Sequence, residues 1–216
     1  MNLDTIMLLI VLLNLAVLAT HKLYNYLKVL AVQGVLIAMI PLFVANNEIV
    51  FPHGRELVIM IISILVKSII FPLLLLKSIK LCKIRSEVKP FVGYSLSVLI
   101  GILFLSISFY IGKRLPIPTM LSSSLLLPVA LSSIMIGIFV IISRRLAITQ
   151  IIGYLLFENG VYAFGLGLIH EVHFVVELGI LLDIFAGVFI MGIMIFNLNK
   201  ELDHVDTQAM NELKEI

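Results

Sequence analysis

The sequence predicts an all-helical membrane protein of about seven transmembrane helices, with no soluble globular domain. Three observations predict this fold class. Of the 216 residues, 61% are hydrophobic and only 13% are charged, whereas a soluble domain usually carries about 25% charged residues. The apolar residues form long unbroken runs, and most basic residues collect in alternate connections between those runs.

Seven apolar runs approach the roughly 20 residues that a helix needs to cross a bilayer. The runs are continuous and do not alternate as transmembrane β-strands do, so each is predicted to be a helix. Residues 1–200 are therefore predicted to form a single transmembrane domain, and residues 201–216 a short acidic cytoplasmic tail. In chain order the predicted spans are Leu3–Thr20, Leu27–Ala45, Leu57–Leu76, Phe91–Ile111, Met120–Ile142, Leu146–Ile169 and Phe174–Asn197.

The basic residues predict the orientation, because cytoplasmic loops carry an excess of Lys and Arg. Eleven of the fifteen basic residues fall on the side of the C-terminal tail, and only Arg55, Lys113 and Arg114 fall on the other. This asymmetry predicts an outer N-terminus and a cytoplasmic C-terminus. The first run carries Asp4 in place of a basic flank and has no small-residue cleavage site, so it is interpreted as a retained span.

Three ionisable residues inside the spans are the strongest functional signal. Lys67, Glu158 and Asp183 all fall near the middle of their predicted spans at 1.5 Å per residue. A charge at that depth costs about 2.5–3.5 kcal/mol on insertion scales, so such residues usually serve a structural or functional purpose. The helices carrying Glu158 and Asp183 are consecutive, which predicts that the two acids meet.

Further polar residues are predicted to support these three. Gln150, Tyr154, Glu158 and Tyr162 recur every four residues and predict a polar stripe that can hold water and pass protons. Glu177 lies nearer the outer end of the seventh span, as a candidate entry site or a residue that reaches the lipid headgroups.

Small residues and prolines predict the packing around the acids. Pro72 cannot donate to the carbonyl of Ser68, which predicts a kink and a small polar cavity beside Lys67. Pro41 and Pro128 are predicted to interrupt two other spans. The residues predicted to pack closely on neighbouring helices are Gly153, Gly160 and Gly167 in the sixth span and Gly179, Asp183, Ala186 and Gly187 in the seventh.

Two interpretations of the buried charges stay open. Lys67 with Asp183 or Glu158 forms a structural ion pair, or the groups protonate reversibly because burial disfavours the charged form of acids and amines alike. No histidine lies in mid-span as a haem ligand, and no phosphate-binding, dinucleotide or metalloprotease motif occurs. We therefore expect coupling, transport or assembly, with no catalytic residue, metal or cofactor in this chain and no nucleic-acid partner.

The C-terminal part resembles a known family. The stretch RRLAITQIIGYLLFENGVYAFGLGL (Arg144–Leu168) has a central glutamate, and VVELGILLDIFAGVFIMGIMIF (Val175–Phe196) has a second central acid. Residues 120–197 thereby resemble the small membrane subunit of respiratory complex I that carries paired intramembrane glutamates, and its cation-antiporter relatives. The whole chain, with seven spans, resembles the hydrogenase-4 component E family.

The resemblance puts Glu158 in the place of the first membrane glutamate and Asp183 near the second. The match departs from the pattern in two ways: the second acid is an aspartate, with Glu177 competing for its position, and Lys67 has no counterpart in the three-helix small subunit. The resemblance implies a non-catalytic subunit in the cytoplasmic (inner) membrane of a prokaryote, within a complex I-like nickel–iron hydrogenase or formate hydrogenlyase.

By the same resemblance, the partners would be antiporter-like membrane subunits and a hydrogenase arm, and the arm would hold the nickel–iron and iron–sulfur centres. The membrane carboxylates would lie on a lateral polar axis that moves protons or sodium ions. Two alternatives remain, an independent secondary ion transporter and a purely structural packing subunit.

Overall fold

The computed structural model describes residues 2–41, 55–81, 91–114, 123–168 and 179–192 with residue 195, and most of these residues are helical. Seven helices lie in these ranges. They are α1 (Leu3–Ala19), α2 (Leu23–Met39), α3 (the consecutive segments Arg55–Leu65, Val66–Ile70 and Phe71–Leu81), α4 (Tyr94–Gly112), α5 (Leu126–Ser143), α6 (Ala147–Leu168) and α7 (Gly179–Gly192).

The prediction of an all-helical fold is confirmed for the described residues. Four helices are long and apolar enough to cross a membrane: the Ile61–Lys80 part of α3, and all of α4, α5 and α6. The described lengths of α1, α2 and α7 are shorter, although all three helices are apolar.

Helix α3 changes its hydrogen-bond pattern at Lys67. The segment Val66–Ile70 is a π-helical turn, and the Phe71 N–H donates to the carbonyl of Val66, five residues back. Pro72, the next residue, has no N–H to donate, so the wider turn carries the helix into the proline. The predicted disturbance beside Lys67 is therefore present as a π-turn within a continuous helix.

Pro41 and Pro128, the other two prolines that were predicted to interrupt a span, lie at helix ends. Helix α5 begins at Leu126, which places Pro128 in its first turn. N–H groups there have no intrahelical acceptor in any case, so Pro128 does not interrupt the helix as predicted. Pro41 directly follows Ile40, the residue that caps the end of α2.

Helices α5 and α6 form the most extensive helix pair in the described fold and run antiparallel. A Cβ atom on Gly137 would lie 2.5 Å from the backbone nitrogen of Phe157, and one on Gly160 would lie 2.7 Å from that of Ile134. These distances are too short for any side chain, so the two backbones touch. The predicted role of the α6 glycines in close packing is confirmed.

Helix α4 has an inside-out distribution of side chains. Its only buried residues are small: Ser97, Gly101, Ser108 and Gly112. Gly101 faces Leu18 of α1, and the outward face carries large apolar residues such as Leu99 and Leu103. Small residues inside and leucines outside are typical of a helix whose outer face contacts lipid rather than water.

The buried side chains form two apolar clusters with a polar layer between them. The first cluster contains Val17, Leu30, Phe71, Ile136, Leu156 and Ala186, and the second contains Ile10, Leu36, Ala130 and Tyr162, each set among further apolar residues. Seven buried polar residues lie between the two clusters, and we call them the polar layer: Asn14, Gln33, Lys67, Ser133, Glu158, Asn159 and Asp183.

The α5–α6 contact makes a direct prediction about stability. Gly137→Ala is expected to lower the free energy of unfolding by about 1–3 kcal/mol, because the new methyl group meets the backbone of Phe157 and the helices must separate. Thermal unfolding of the purified protein in detergent measures this change. Gly192→Ala is the matched control, since nothing lies within 4 Å of that position, and equal stability of both variants would contradict the described packing.

Candidate functional site

The centre of the candidate site is the Lys67 ammonium group, which contacts two carboxylates from different helices. The Lys67 Nζ atom lies 2.5 Å from Glu158 Oε1 on α6 and 3.1 Å from Asp183 Oδ1 on α7. It also donates to Asn159 Oδ1 at 3.3 Å. The contact to Asp183 has the distance of an ion pair without hydrogen-bond geometry. The ammonium group thus makes two hydrogen bonds, to Glu158 and Asn159, and a further ion pair with Asp183.

The three ionisable side chains are almost completely enclosed. Lys67 is 7% exposed, Glu158 0% and Asp183 8%. The sequence prediction that Glu158 and Asp183 meet is extended by the structure, because Lys67 lies between them. The prediction that Asp183 faces another helix rather than lipid is confirmed.

The charges of this site do not cancel. One ammonium and two ionised carboxylates carry a net charge of −1, and a net charge is costly in a low-dielectric interior. Neutrality requires one additional proton, shared by the Glu158 and Asp183 carboxyl groups. A pair of nearby carboxyls that holds a single proton is a common arrangement for groups that titrate together. Glu158 Oε2 is buried and has no hydrogen-bond partner among the described residues.

Backbone packing fixes the position of Lys67. Gly34 of α2 faces the π-turn so closely that a Cβ atom there would lie 2.9 Å from the Lys67 Cβ. Gly179 of α7 packs in the same way on the ring of Tyr162, with a virtual Cβ 2.8 Å from that ring. The two glycines bring α2 against α3 and α7 against α6, which holds the three charged groups at one depth.

The structure places only some of the predicted supporting residues at the site. The ring of Tyr162 lies 5.6 Å from Lys67 Nζ, within range of a cation–π contact. Tyr154 is half-buried and packs its ring against Phe189 of α7. Gln150 does not join the site: it donates to the carbonyl of Arg144 at the start of α6, two turns from Glu158. Glu177 lies outside the described residues.

A second buried polar group lies on the other side of the bundle, and the sequence analysis did not identify it. Asn14 of α1 donates to Ser133 Oγ of α5 at 2.7 Å and accepts from Gln33 of α2 at 3.0 Å. Gln33 Oε1 is buried with no partner in the described part of the chain, and the next residue, Gly34, touches Lys67. The signal available in the sequence was a single amide in each of two otherwise apolar runs.

Within the described ranges, no three His, Cys, Asp or Glu side chains come together as metal ligands do. The site is a polar layer of one lysine, two acids and four uncharged side chains, and its three ionisable groups are of types that can take up and release protons.

The fold and site define an apolar helical protein with a buried ionisable cluster. The chain is similar to the "Uncharacterized protein Rv0085" of Mycobacterium tuberculosis (strain ATCC 25618 / H37Rv), with 27% identity over 192 residues, which cover 87% of this chain and 84% of that protein. No protein-family model matches the chain, and no solved structure matches it.

The shared ammonium predicts a non-additive effect on stability. Lys67→Met is expected to lower the free energy of unfolding by about 3–5 kcal/mol, because two buried acids lose their counter-charge. Adding Glu158→Gln and Asp183→Asn to Lys67→Met is expected to recover most of that loss, since the site is then uncharged. Thermal unfolding in detergent measures both effects. A triple variant that is less stable than Lys67→Met alone would contradict the described ion pairs.

Proposed function

We propose that this chain is a non-catalytic membrane subunit of a complex I-like nickel–iron hydrogenase or formate hydrogenlyase. Its part is to hold and exchange protons at Lys67, Glu158 and Asp183 while partner subunits perform the redox chemistry. The single observation that carries the proposal is that one buried ammonium contacts two buried carboxyls. Such a site is neutral only when it holds one further proton, so its charge changes each time that proton is gained or lost.

The resemblance to the hydrogenase-4 component E family supports the choice of complex. In that setting the chain has seven spans in the prokaryotic cytoplasmic membrane, with the N-terminus outside and the C-terminus in the cytoplasm. Antiporter-like subunits and a hydrogenase arm are its partners, and the nickel–iron and iron–sulfur centres belong to those subunits. The basic residues Lys22, Lys28 and Lys80 lie at the helix ends next to the first apolar cluster, which is the cytoplasmic half in this orientation.

The polar layer gives the proposed path a direction. Asp183, Lys67 and Glu158 are followed across the bundle by Gln33, Asn14 and Ser133, while apolar clusters lie on both sides of the layer. A proton that moves between these groups would travel along the membrane plane, because the two clusters consist almost entirely of apolar side chains. A lateral axis of this kind passes charge between neighbouring subunits.

The test of the proposal uses the complex as it exists in its membrane. A tagged copy of the chain is expected to co-purify with antiporter-like and hydrogenase subunits. Inverted membrane vesicles given hydrogen or formate are then expected to acidify in the wild type. Glu158→Gln and Asp183→Asn should lower the initial acidification rate at least tenfold while complex assembly stays normal.

The matched control is Asp4→Asn, which removes an acid at the exposed start of α1, where Asp4 accepts a hydrogen bond from Ser123 at 2.5 Å. It is expected to keep the wild-type acidification rate. The short contacts of Lys67 also favour a second candidate function, a purely structural packing subunit. Normal acidification in both site variants, with the complex intact, would establish that alternative. Salt or pH tolerance conferred by the chain alone would instead favour an independent ion transporter.

The uncharged part of the polar layer has its own prediction. Gln33→Leu removes the hydrogen bond that Gln33 donates to Asn14 and is expected to lower the acidification rate by about tenfold, without loss of assembly. Ser106→Ala serves as control, because its hydroxyl is exposed and bonds only to the carbonyl of Ile102 in its own helix. An unchanged rate in Gln33→Leu would confine the proton path to the three charged residues.

A further inference from the structure

A second buried cation lies at the end of the bundle, far from the polar layer. Arg144 directly follows Ser143, the last residue of α5, and its side chain is 0% exposed. One guanidinium nitrogen, Nη2, donates to the carbonyl of Leu18 at 3.3 Å, and the group lies 5.4 Å from the centre of the Tyr94 ring. The Nε and Nη1 atoms are buried and have no hydrogen-bond partner among the described residues.

This guanidinium also has no counter-charge in the described ranges, where the ion-paired carboxylates of Glu158 and Asp183 both belong to Lys67. Arginine stays protonated in proteins, so it cannot escape the cost of burial by losing its charge. A buried and unpaired cation costs several kcal/mol. A group that completes this site is therefore expected to be an anion rather than a neutral molecule.

Two hydroxyl groups at this end of the bundle, from Tyr26 and from the preceding residue Ser143, are of the kind that binds oxyanions. Tyr26 OH and Ser143 Oγ are both buried and, within the described chain, without a hydrogen-bond partner. Tyr26 lies within electrostatic range of Arg144. The planar fork of a guanidinium and two hydroxyl donors suit a tetrahedral phosphate, which presents several oxygens to several donors.

The depth of the site identifies the source of the phosphate. Its residues come from the ends of four helices: Leu18 from α1, Tyr26 from α2, Tyr94 from α4 and Arg144 from the end of α5. Exposed basic residues lie at the same end of the bundle, namely Lys22, Lys28 and Lys80. The end of a membrane span is the level at which lipid phosphates lie, and basic pockets between helix ends bind anionic headgroups.

We propose that Arg144, with Tyr26 and Ser143, binds the phosphate of an anionic phospholipid at the junction of α1, α2, α4 and α5. The phosphate accepts from the free guanidinium nitrogens and both hydroxyls, and its charge neutralises Arg144. The proposal requires the chain to lie in a bilayer, but it does not depend on the proposed proton path.

The experiment uses the full chain, purified in a neutral detergent and stripped of lipid. Native mass spectrometry and thermal unfolding follow titration with phosphatidylglycerol, phosphatidylcholine or inorganic phosphate. The wild type is expected to bind one phosphatidylglycerol at least tenfold more tightly than phosphatidylcholine. The phosphatidylcholine headgroup carries a positive charge beside its phosphate, so it compensates the Arg144 charge less well. Inorganic phosphate should bind at least tenfold more weakly than phosphatidylglycerol, and a match between the two would overturn the lipid as the source.

Two neighbouring arginines provide matched variants. Arg144→Gln is expected to weaken phosphatidylglycerol binding at least tenfold. Arg145→Gln should change it less than twofold, because that exposed side chain lies over the ring of Phe91. Tyr26→Phe keeps the aromatic ring and removes one donor, with an expected loss of about threefold, and it serves as the test if Arg144→Gln does not fold.

Equal phosphatidylglycerol affinity in all these variants would overturn the proposal. The proposal would also be overturned if an acidic side chain of this chain occupied the position assigned to the lipid phosphate. In that case Glu87→Gln, which removes the acid closest in sequence before α4, would increase phosphatidylglycerol binding, whereas the proposed lipid site predicts no change.

Discussion

One ammonium group holding two carboxylates in an apolar interior is the interaction on which this structure depends. Lys67 can contact Glu158, Asn159 and Asp183 together only if α3, α6 and α7 are held at fixed positions around it. The approach of the helices requires glycine at Gly34 and Gly179, since a larger residue would displace the lysine or the α7 backbone. Packing and charge compensation are thus one constraint, in which the small residues set the distance and the ion pairs set the register.

The position of the polar layer between two apolar clusters explains how an apolar protein tolerates so many polar groups. Each member has a partner on another helix, as in the contacts of Asn14 with Ser133 and Gln33. In a medium without water, the cost of leaving such groups unpaired is the reason that they collect at one depth. The apolar clusters on both sides lower the local dielectric constant, which strengthens the electrostatic contacts inside the layer.

Sequence reasoning reached the parts of this fold that depend on local pattern. Long apolar runs predict helices, and the depths of Glu158 and Asp183 follow from the rise per residue. The sequence could not decide which acid Lys67 pairs with, because that choice depends on the relative rotation of three helices. In the structure Lys67 pairs with both acids. Asn14 and Ser133 escaped notice for a related reason, since an uncharged side chain gains importance only from a partner that is 119 residues away.

Two residues show how a regular spacing or a loop position misleads. Gln150 shares the four-residue spacing of Tyr154 and Glu158, yet it lies in the first turn of α6, where its side chain bonds to the carbonyl of Arg144. Arg144 entered the sequence argument only as a basic loop residue that marks orientation, whereas the structure buries it completely. Hydropathy assigns a charged residue at a span end to the surface, and only the packing of neighbouring helix ends reveals an enclosed guanidinium.

The two buried cations differ in how their charge is compensated, and the difference follows from where each lies. Lys67 sits at mid-depth, where lipid provides no anion, so the chain itself supplies Glu158 and Asp183. Arg144 directly follows the last residue of α5, where the proposed lipid site would supply phosphate, and the described chain gives it no acid. A lysine is suited to the first environment because its compact ammonium group can pair with nearby acids that gain and lose a proton. An arginine is suited to the second because it keeps its charge and presents a fork of donors, so it acts as a fixed anchor rather than as a group that titrates.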